Sequence, residues 1–174
     1  MTITSAQLLF CLSGGAANSA PSASLGGTRS ATTLSDATLN NLFDDVSAAE
    51  ASSGDSEYRG IFLYLSTTET LSSPRVWVSA SSTAAGDEIY IATDSGGMQI
   101  STNMTMTSVS NESTAPTGMG SWTGYGTTIS LSGSMAPTGS VGAGYGLWIY
   151  RSVSVGASSY ANNSATIAWD GETA

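Results

Sequence analysis

The apolar residues of this chain recur mostly at every second position, a period typical of β-strands rather than helices. In Leu147–Val155, aliphatic residues and one arginine alternate with Trp148, Tyr150 and serines. Three further segments show the same alternation: Gly60–Ser66, Arg75–Ser79 and Glu88–Thr93. Weaker strands are predicted at Gln7–Leu12, Met98–Ile100, Met104–Val109, Thr127–Leu131 and Ala165–Trp169. Because Gly, Ser, Asn and Asp separate these strands, the sequence predicts a mainly β chain, folded as an antiparallel β-sandwich of the jelly-roll or Ig-like kind.

One segment departs from this alternation and predicts the short helix of the fold. In Leu39–Val46 the apolar residues follow i, i+3, i+4, i+7 spacing, which places them on one face of a helix. Ser35 or Asp36 is available as its N-cap. We therefore expect a helix of two to four turns over this segment.

The length of 174 residues suits one domain with a tail. We divide the chain into residues 1–30, an N-terminal strand and extended arm, and residues 31–174, a β-sandwich with glycine-rich loops at Gly118–Gly126 and Gly139–Gly146. Cys11, the single cysteine, lies in an apolar run and is expected to be buried. The run lacks the basic residues of a signal peptide, and no stretch is long and apolar enough to cross a membrane.

The charged residues exclude several functions. The chain has no lysine or histidine, four arginines and a net charge of -9. Catalysis that depends on histidine or on a lysine Schiff base is therefore excluded, and the negative field disfavours nucleic acid and anionic membranes. We expect a non-enzymatic protein without a cofactor.

Paired carboxylates in one region leave a further possibility open. Five acidic residues lie close together in the sequence: Asp44, Asp45, Glu50, Asp55 and Glu57. Such a group can bind calcium or hydrolyse a glycosidic bond, but the calcium-loop pattern of alternating Asp residues is missing. A solvated loop or helix end is the favoured interpretation, with calcium as the alternative.

Four residues are candidates for contacts with a partner. Trp122, Tyr125 and Tyr145 lie in glycine-rich stretches, where they either contact a ligand or partner or fold back over the end of the sandwich. Arg151 falls on the aliphatic face of its strand, so it needs a carboxylate partner or an exit to solvent, or it anchors a subunit interface. Arg59 follows Asp55 and Glu57 and is expected to form a local ion pair.

Several segments together resemble a family of structural proteins of tailed bacteriophages. They are Leu12-Ser-Gly-Gly15 with Asn18 and Pro21, Ser24-Leu-Gly-Gly27, Leu39-Asn-Asn-Leu-Phe-Asp-Asp-Val46, Gly54-Asp-Ser-Glu-Tyr-Arg59 and Leu147-Trp-Ile-Tyr-Arg-Ser-Val153. The resemblance covers about the first 80 and the last 30 residues, and residues 95–140 match nothing in it. It implies a shared framework, with that central segment variable and exposed.

The resemblance implies a protein of the virion that binds the major capsid protein or other virion proteins and forms a homo-oligomer. The leading hypothesis is a capsid decoration (cement) protein, with Met1–Gly27 as a docking arm that can be deleted without unfolding the domain. A tail, baseplate or fibre component is the second hypothesis. The third is a carbohydrate-binding sandwich that uses Trp122, Tyr125 and Tyr145 as a stacking platform.

Overall fold

The computed structural model describes residues 3–4, 6–158 and 163–173, and these residues are mainly β. The elements in chain order are β1 (Leu8–Leu12), a 3-10 turn (Pro21–Ala23), β2 (Gly26–Thr28), α1 (Ala48–Ser53), β3 (Asp55–Leu65), β4 (Leu71–Ala80), β5 (Asp87–Ile100), β6 (Thr105–Ser108), β7 (Ile129–Ser130), β8 (Ala143–Val153) and β9 (Thr166–Thr173). Among the residues searched, none belongs to a helix with the length and apolar character that crossing a bilayer requires.

The strands form three sheets, and every ladder within them is antiparallel. The central sheet has the order β1-β3-β8-β5, a three-stranded sheet has the order β7-β4-β9, and β2 pairs with β6. The prediction of a mainly β, antiparallel sandwich with one short helix is therefore confirmed.

The central sheet is covered on both faces, which explains why both sides of its strands are apolar. On one face Ile61 and Leu147 pack with Val76 and Val78 of β4. On the opposite face another cluster brings together Cys11, Phe62, Met104, Met106 and Trp148. Alternation along a strand sends successive side chains to opposite faces, so each strand supplies both clusters.

The helix prediction at Leu39–Val46 is wrong. Ala37 and Asn40 both have φ of 55°, outside the right-handed helical region, and Leu39 is 65% exposed. Leu42 alone is buried in the core there, so the helical spacing of the apolar residues is coincidental. The helix instead occupies Ala48–Ser53, none of whose residues is buried. It begins with a capping box, in which the side chains of Ser47 and Glu50 each accept a hydrogen bond from the other residue's backbone N–H.

The predicted loop at Gly139–Gly146 is partly wrong, since residues from Ala143 onward belong to β8. A Cβ on Gly144 would lie 2.6 Å from the backbone oxygen of Leu63 and 2.8 Å from the sulfur of Met104, and a Cβ on Gly146 would lie 2.9 Å from Cβ of Met106. The glycines therefore make room on a buried strand for two methionines. The expectation that residues 95–140 form an exposed segment is also only partly right, because this segment supplies Met104 and Met106 to the core.

The first 30 residues are also built into the domain. β1 pairs with β3 over five residues, and Leu8, Cys11 and Leu12 are buried. Deletion of Met1–Gly27 would remove an edge strand and expose the core, so we expect this deletion to destabilise the domain rather than leave it folded. Residues 1, 2 and 5 of the proposed arm lie outside the described residues.

Candidate functional site

Three tyrosines form a ladder across the central sheet. Tyr58 on β3 lies opposite Tyr150 on β8, which in turn lies opposite Tyr90 on β5. The ring centroids of Tyr58 and Tyr150 are 4.8 Å apart at an interplanar angle of 14°, and those of Tyr90 and Tyr150 are 5.5 Å apart at 22°. Tyr150 is thus held between two stacked rings, a contact that stabilises the sheet beyond the area it buries.

Trp122 reaches this ladder from the loop that follows β6. The loop runs beside β5, where Thr123 and Ile91 exchange two backbone hydrogen bonds of 2.9 Å. This pairing places the Trp122 ring 5.8 Å from Tyr58 and 5.5 Å from Tyr150, tilted in both cases. Of the two alternatives for Trp122, the structure shows the ring folded back against the protein, where it covers the tyrosines, rather than open to a ligand.

The geometry of the ladder limits what it can bind. Sugars stack on the open face of an aromatic ring, but both faces of Tyr150 are already covered by Tyr58 and Tyr90. The phenol groups make polar contacts instead: the Tyr150 hydroxyl is 3.3 Å from Oγ of Ser56, and the Tyr90 hydroxyl donates to Glu88. The ladder is consequently a structural element with a polar rim rather than a stacking platform.

A cleft of about 330 Å³ opens beside the ladder, next to the most exposed aromatic ring among the described residues. Tyr125 is 63% exposed and lines the cleft together with Tyr90, Gly124 and Glu88. Serines from the loop before β5 complete its wall. An open aromatic face beside a carboxylate and hydroxyls is the combination that a polar ligand with an apolar surface requires.

Tyr145 does not belong to this surface. It lies on β8 in the opposite core, it is 2% exposed, and its hydroxyl donates to the carbonyl of Ser132. Tyr145 therefore has no surface to offer a partner, and the predicted grouping of Trp122, Tyr125 and Tyr145 is wrong.

Arg151 lies in a buried cluster of charges rather than at an exposed edge. It is 5% exposed and pairs across the strands with Glu57, whose carboxylate accepts from Nε at 2.5 Å and also pairs with Nη2. Nη1 of Arg151 donates to the backbone oxygen of Asp44 at 2.5 Å, and Nη2 also donates to the Asp44 carboxylate at 3.4 Å. The guanidinium lies 5.0 Å from the ring centroid of Phe43. The carboxylate-partner interpretation of Arg151 is confirmed, and no surface is left for an interface anchor.

Arg59 extends the same cluster towards the surface. Its Nη2 lies 3.6 Å from Glu57 and 2.5 Å from the half-exposed carboxylate of Glu112, and its guanidinium is 5.4 Å from the Phe43 ring centroid. The predicted local ion pair is confirmed for Glu57. Glu112 lies 53 positions away in the chain, and no local pattern predicts it.

The acidic run predicted as a loop or calcium site does not converge on one point. Glu50 caps the helix, Asp44 and Glu57 bind Arg151, and Asp55 begins β3. Within the described ranges there is no group of three or more His, Cys, Asp or Glu side chains arranged to hold a metal ion.

Burial changes the acidity of two carboxyl groups beside Arg151. Desolvation raises the pKa of Glu57, although the charges of Arg151 and Arg59 lower it in part. Desolvation also raises the pKa of Asp87, although Arg151 and a hydrogen bond from Asn163 lower it in part. Desolvation prevails because a buried carboxylate loses hydration that two arginines only partly replace.

These raised pKa values predict that stability increases on mild acidification. The folded chain binds a proton on Glu57 and on Asp87 more tightly than the unfolded chain does. The resulting stabilisation is complete below the ordinary pKa values of 4.5 and 3.8. It is lost as the pH rises through the raised pKa values of the folded chain. Melting temperatures measured from about pH 4 to 8 should therefore rise towards acid. Glu57→Gln, which cannot titrate, should flatten this slope, and an unchanged slope in the variant would contradict the assignment to Glu57.

Sequence reasoning missed Tyr58, Tyr90 and Tyr150, because each is an ordinary strand residue until register brings the three together. It also missed the capping box, although Ser47-Ala-Ala-Glu50 is a recognisable helix start.

Comparisons of the chain with protein families, with curated proteins and with solved structures gave no match.

Proposed function

We propose that this chain is a structural protein of a tailed-bacteriophage particle, in which it decorates the outside of the capsid as a cement protein. The observation that carries the proposal is that segments showing the resemblance meet in the fold. Asp44, Glu57 and Arg151 come from three of those segments and form one buried charge cluster. Buried contacts between these segments are what a framework shared within a family requires.

The N-terminal segments with the same resemblance meet around a second centre. Oγ of Ser13 donates to the carbonyl of Gly60 at 2.7 Å and accepts from the N–H of Gly26 at 2.9 Å. Asn18 donates to the Ser13 carbonyl at 2.6 Å, and Ser24 accepts from the Ser13 N–H at 3.2 Å. These buried hydrogen bonds join the glycine-rich motifs to β3, which supports a shared framework rather than a shared catalytic site.

The chemistry of the chain suits a role of this kind. A net charge of -9 without lysine disfavours packaged nucleic acid as the partner and leaves other virion proteins, above all the major capsid protein. Cement proteins gain strength from many symmetric copies rather than from one tight site, so a β-rich framework that presents sheet edges and polar surface is sufficient.

Location in the particle is tested by immunogold labelling of purified virions with antibodies against this chain. The proposal predicts gold distributed over the head. Gold confined to the tail tip would replace it with the tail or baseplate hypothesis.

A carbohydrate-binding role is a second candidate, and the cleft beside Tyr125 is the observation that favours it. The exposed Tyr125 ring, the Glu88 carboxylate and the Ser81 and Ser82 backbone or hydroxyl groups line the same 330 Å³ space, which is of a size for one or two sugar rings. The site differs from the platform expected from the sequence, since Trp122 and Tyr145 are not part of its lining.

Tyr125→Ala tests this candidate without disturbing the fold. Because the ring is exposed, the variant should keep its melting temperature and lose about tenfold or more in retention on an immobilised glycan, as expected for a lost stacking contact. Trp122→Ala is the informative comparison: it removes packing from the tyrosine ladder and should lower stability instead. Failure of the parent chain to be retained on any glycan would eliminate the candidate.

A further inference from the structure

Among the residues that the structure describes, strand β9 has a free edge. It pairs with β4 on one side, and no backbone hydrogen bond joins its other side to any other segment that the structure describes. A row of unpaired N–H and C=O groups along an edge strand is a template for another strand.

The pattern on β4 shows which groups of β9 are free. The carbonyls of Pro74 and Val78 accept from Leu131 and Gly126, at 2.9 and 3.0 Å, so they point away from β9. Backbone groups of successive residues alternate in direction, and the groups of Trp77 therefore point towards β9.

The partner of Trp77 on β9 is Ala168. Ala168 consequently directs its N–H and C=O to β4, while Ile167 and Trp169 on either side direct theirs to the open edge. Their side chains pack towards the core, whereas the side chain of Ala168 lies with Trp77 on the outer face.

This edge lacks the usual protection against pairing. Natural edge strands are blocked by lysine, proline or bulges, but β9 contains neither residue, and the extra residues of its two bulged pairings lie on β4. The strand carries two carboxylates, of which Asp170 forms a two-pronged ion pair with Arg75, with both distances 2.7 Å, and Glu172 lies next to the last residue of the strand.

We infer that β9 pairs with β9 of a second copy of this chain, antiparallel and centred on Ala168. In this register Ile167 of one copy lies opposite Trp169 of the other, and the two such pairs exchange four backbone hydrogen bonds. A β-branched residue opposite an aromatic one is a favourable cross-strand pair. The two copies form one continuous six-stranded sheet, β7-β4-β9-β9-β4-β7.

The charges of the strand are compatible with a second copy in this register. Centring on Ala168 places Asp170 opposite Thr166 and Glu172 opposite Ser164, so each carboxylate meets a hydroxyl. Centring on Asp170 or Gly171 would instead place carboxylates opposite each other, which is destabilising. Because each copy carries a net charge of -9, salt should strengthen the association.

A cysteine at the centre of the interface tests the register in the full-length chain. In Ala168→Cys the two Cα atoms would be about 4.5 Å apart in a non-hydrogen-bonded pair, within range of a disulfide. Thr166→Cys is the matched control, since the two copies of residue 166 would be separated by about 13 Å along the strands. We expect a covalent dimer on mild oxidation for residue 168 only. Absence of that dimer, or equal cross-linking at residue 166, would overturn the inference.

Charge substitutions test the association without a covalent bond. Ala168→Glu and Ala168→Lys each place like charges opposite one another, so each alone should weaken dimerisation about tenfold or more, whereas a mixture of the two should form a heterodimer. Light scattering after gel filtration measures the masses, and circular dichroism checks that each variant folds. A parent chain that is monomeric at all concentrations, or a mixture that stays monomeric, would contradict the inference.

Discussion

Arg151→Ala should lower the free energy of unfolding by about 3–5 kcal/mol, the typical effect of removing one partner from a buried ion pair. The variant leaves Glu57 buried with only the 3.6 Å contact to Arg59 and removes the bond to the Asp44 carbonyl. The upper part of the range is expected, because the cation that covers the Phe43 ring is lost as well. Urea denaturation at neutral pH measures the change.

Arg75→Ala is the matched control within the same chain. Its ion pair with Asp170 has good geometry, but the two side chains are 51% and 42% exposed, so its loss should cost about 0–1 kcal/mol. The double variant Arg151→Met with Glu57→Leu should recover much of the lost stability, since it removes both charges of this buried pair together. If Arg151→Ala cost no more than Arg75→Ala, the buried cluster would not stabilise the fold.

Gly26→Ala should be the most damaging of the glycine substitutions in the motifs that carry the resemblance. Gly26 has φ of +86°, and an added Cβ would lie 1.9 Å from the backbone oxygen of Thr107. Thr107 is the bulged residue between Met106 and Ser108, both of which pair with β2, so its oxygen cannot move aside without disturbing the β2–β6 ladder. We therefore expect a loss of more than about 4 kcal/mol.

The neighbouring Gly27 is the control, because it also has a positive φ but has open space where a Cβ would lie. Its φ is +78°, yet nothing lies within 4 Å of an added Cβ. Gly27→Ala should therefore cost only the left-handed strain, about 1–2 kcal/mol. Thermal unfolding of both variants measures the difference, and equal losses would show that close approach is not what Gly26 provides.

The strands were predictable from sequence because their burial follows a period of two. Ile61 and Leu63 alternate with Phe62 and Tyr64, and both sets are recognisable as apolar strand residues. The extent of β8 was not predictable, since Gly144 and Gly146 read as loop residues until Met104 and Met106 are known to lie over them.

The candidate sites depended on contacts that no local pattern encodes. Arg151 was recognisable as a residue in need of a partner, but the choice of Glu57 depends on strand register, and Asp44 comes from the irregular segment that precedes α1. The tyrosine ladder similarly requires the strand order β3-β8-β5, which sequence alone leaves open. The helix was misplaced because Leu42 and the partly buried Phe43 pack against the core from an irregular segment rather than from one face of a helix.

The copy number of this chain in purified virions tests the proposed function most directly. Quantitative mass spectrometry with isotope-labelled peptides, referenced to the major capsid protein, gives this number. A decoration protein that follows the symmetry of the shell should be present in hundreds of copies per particle. A few dozen copies or fewer, or absence from the particles, would contradict capsid decoration.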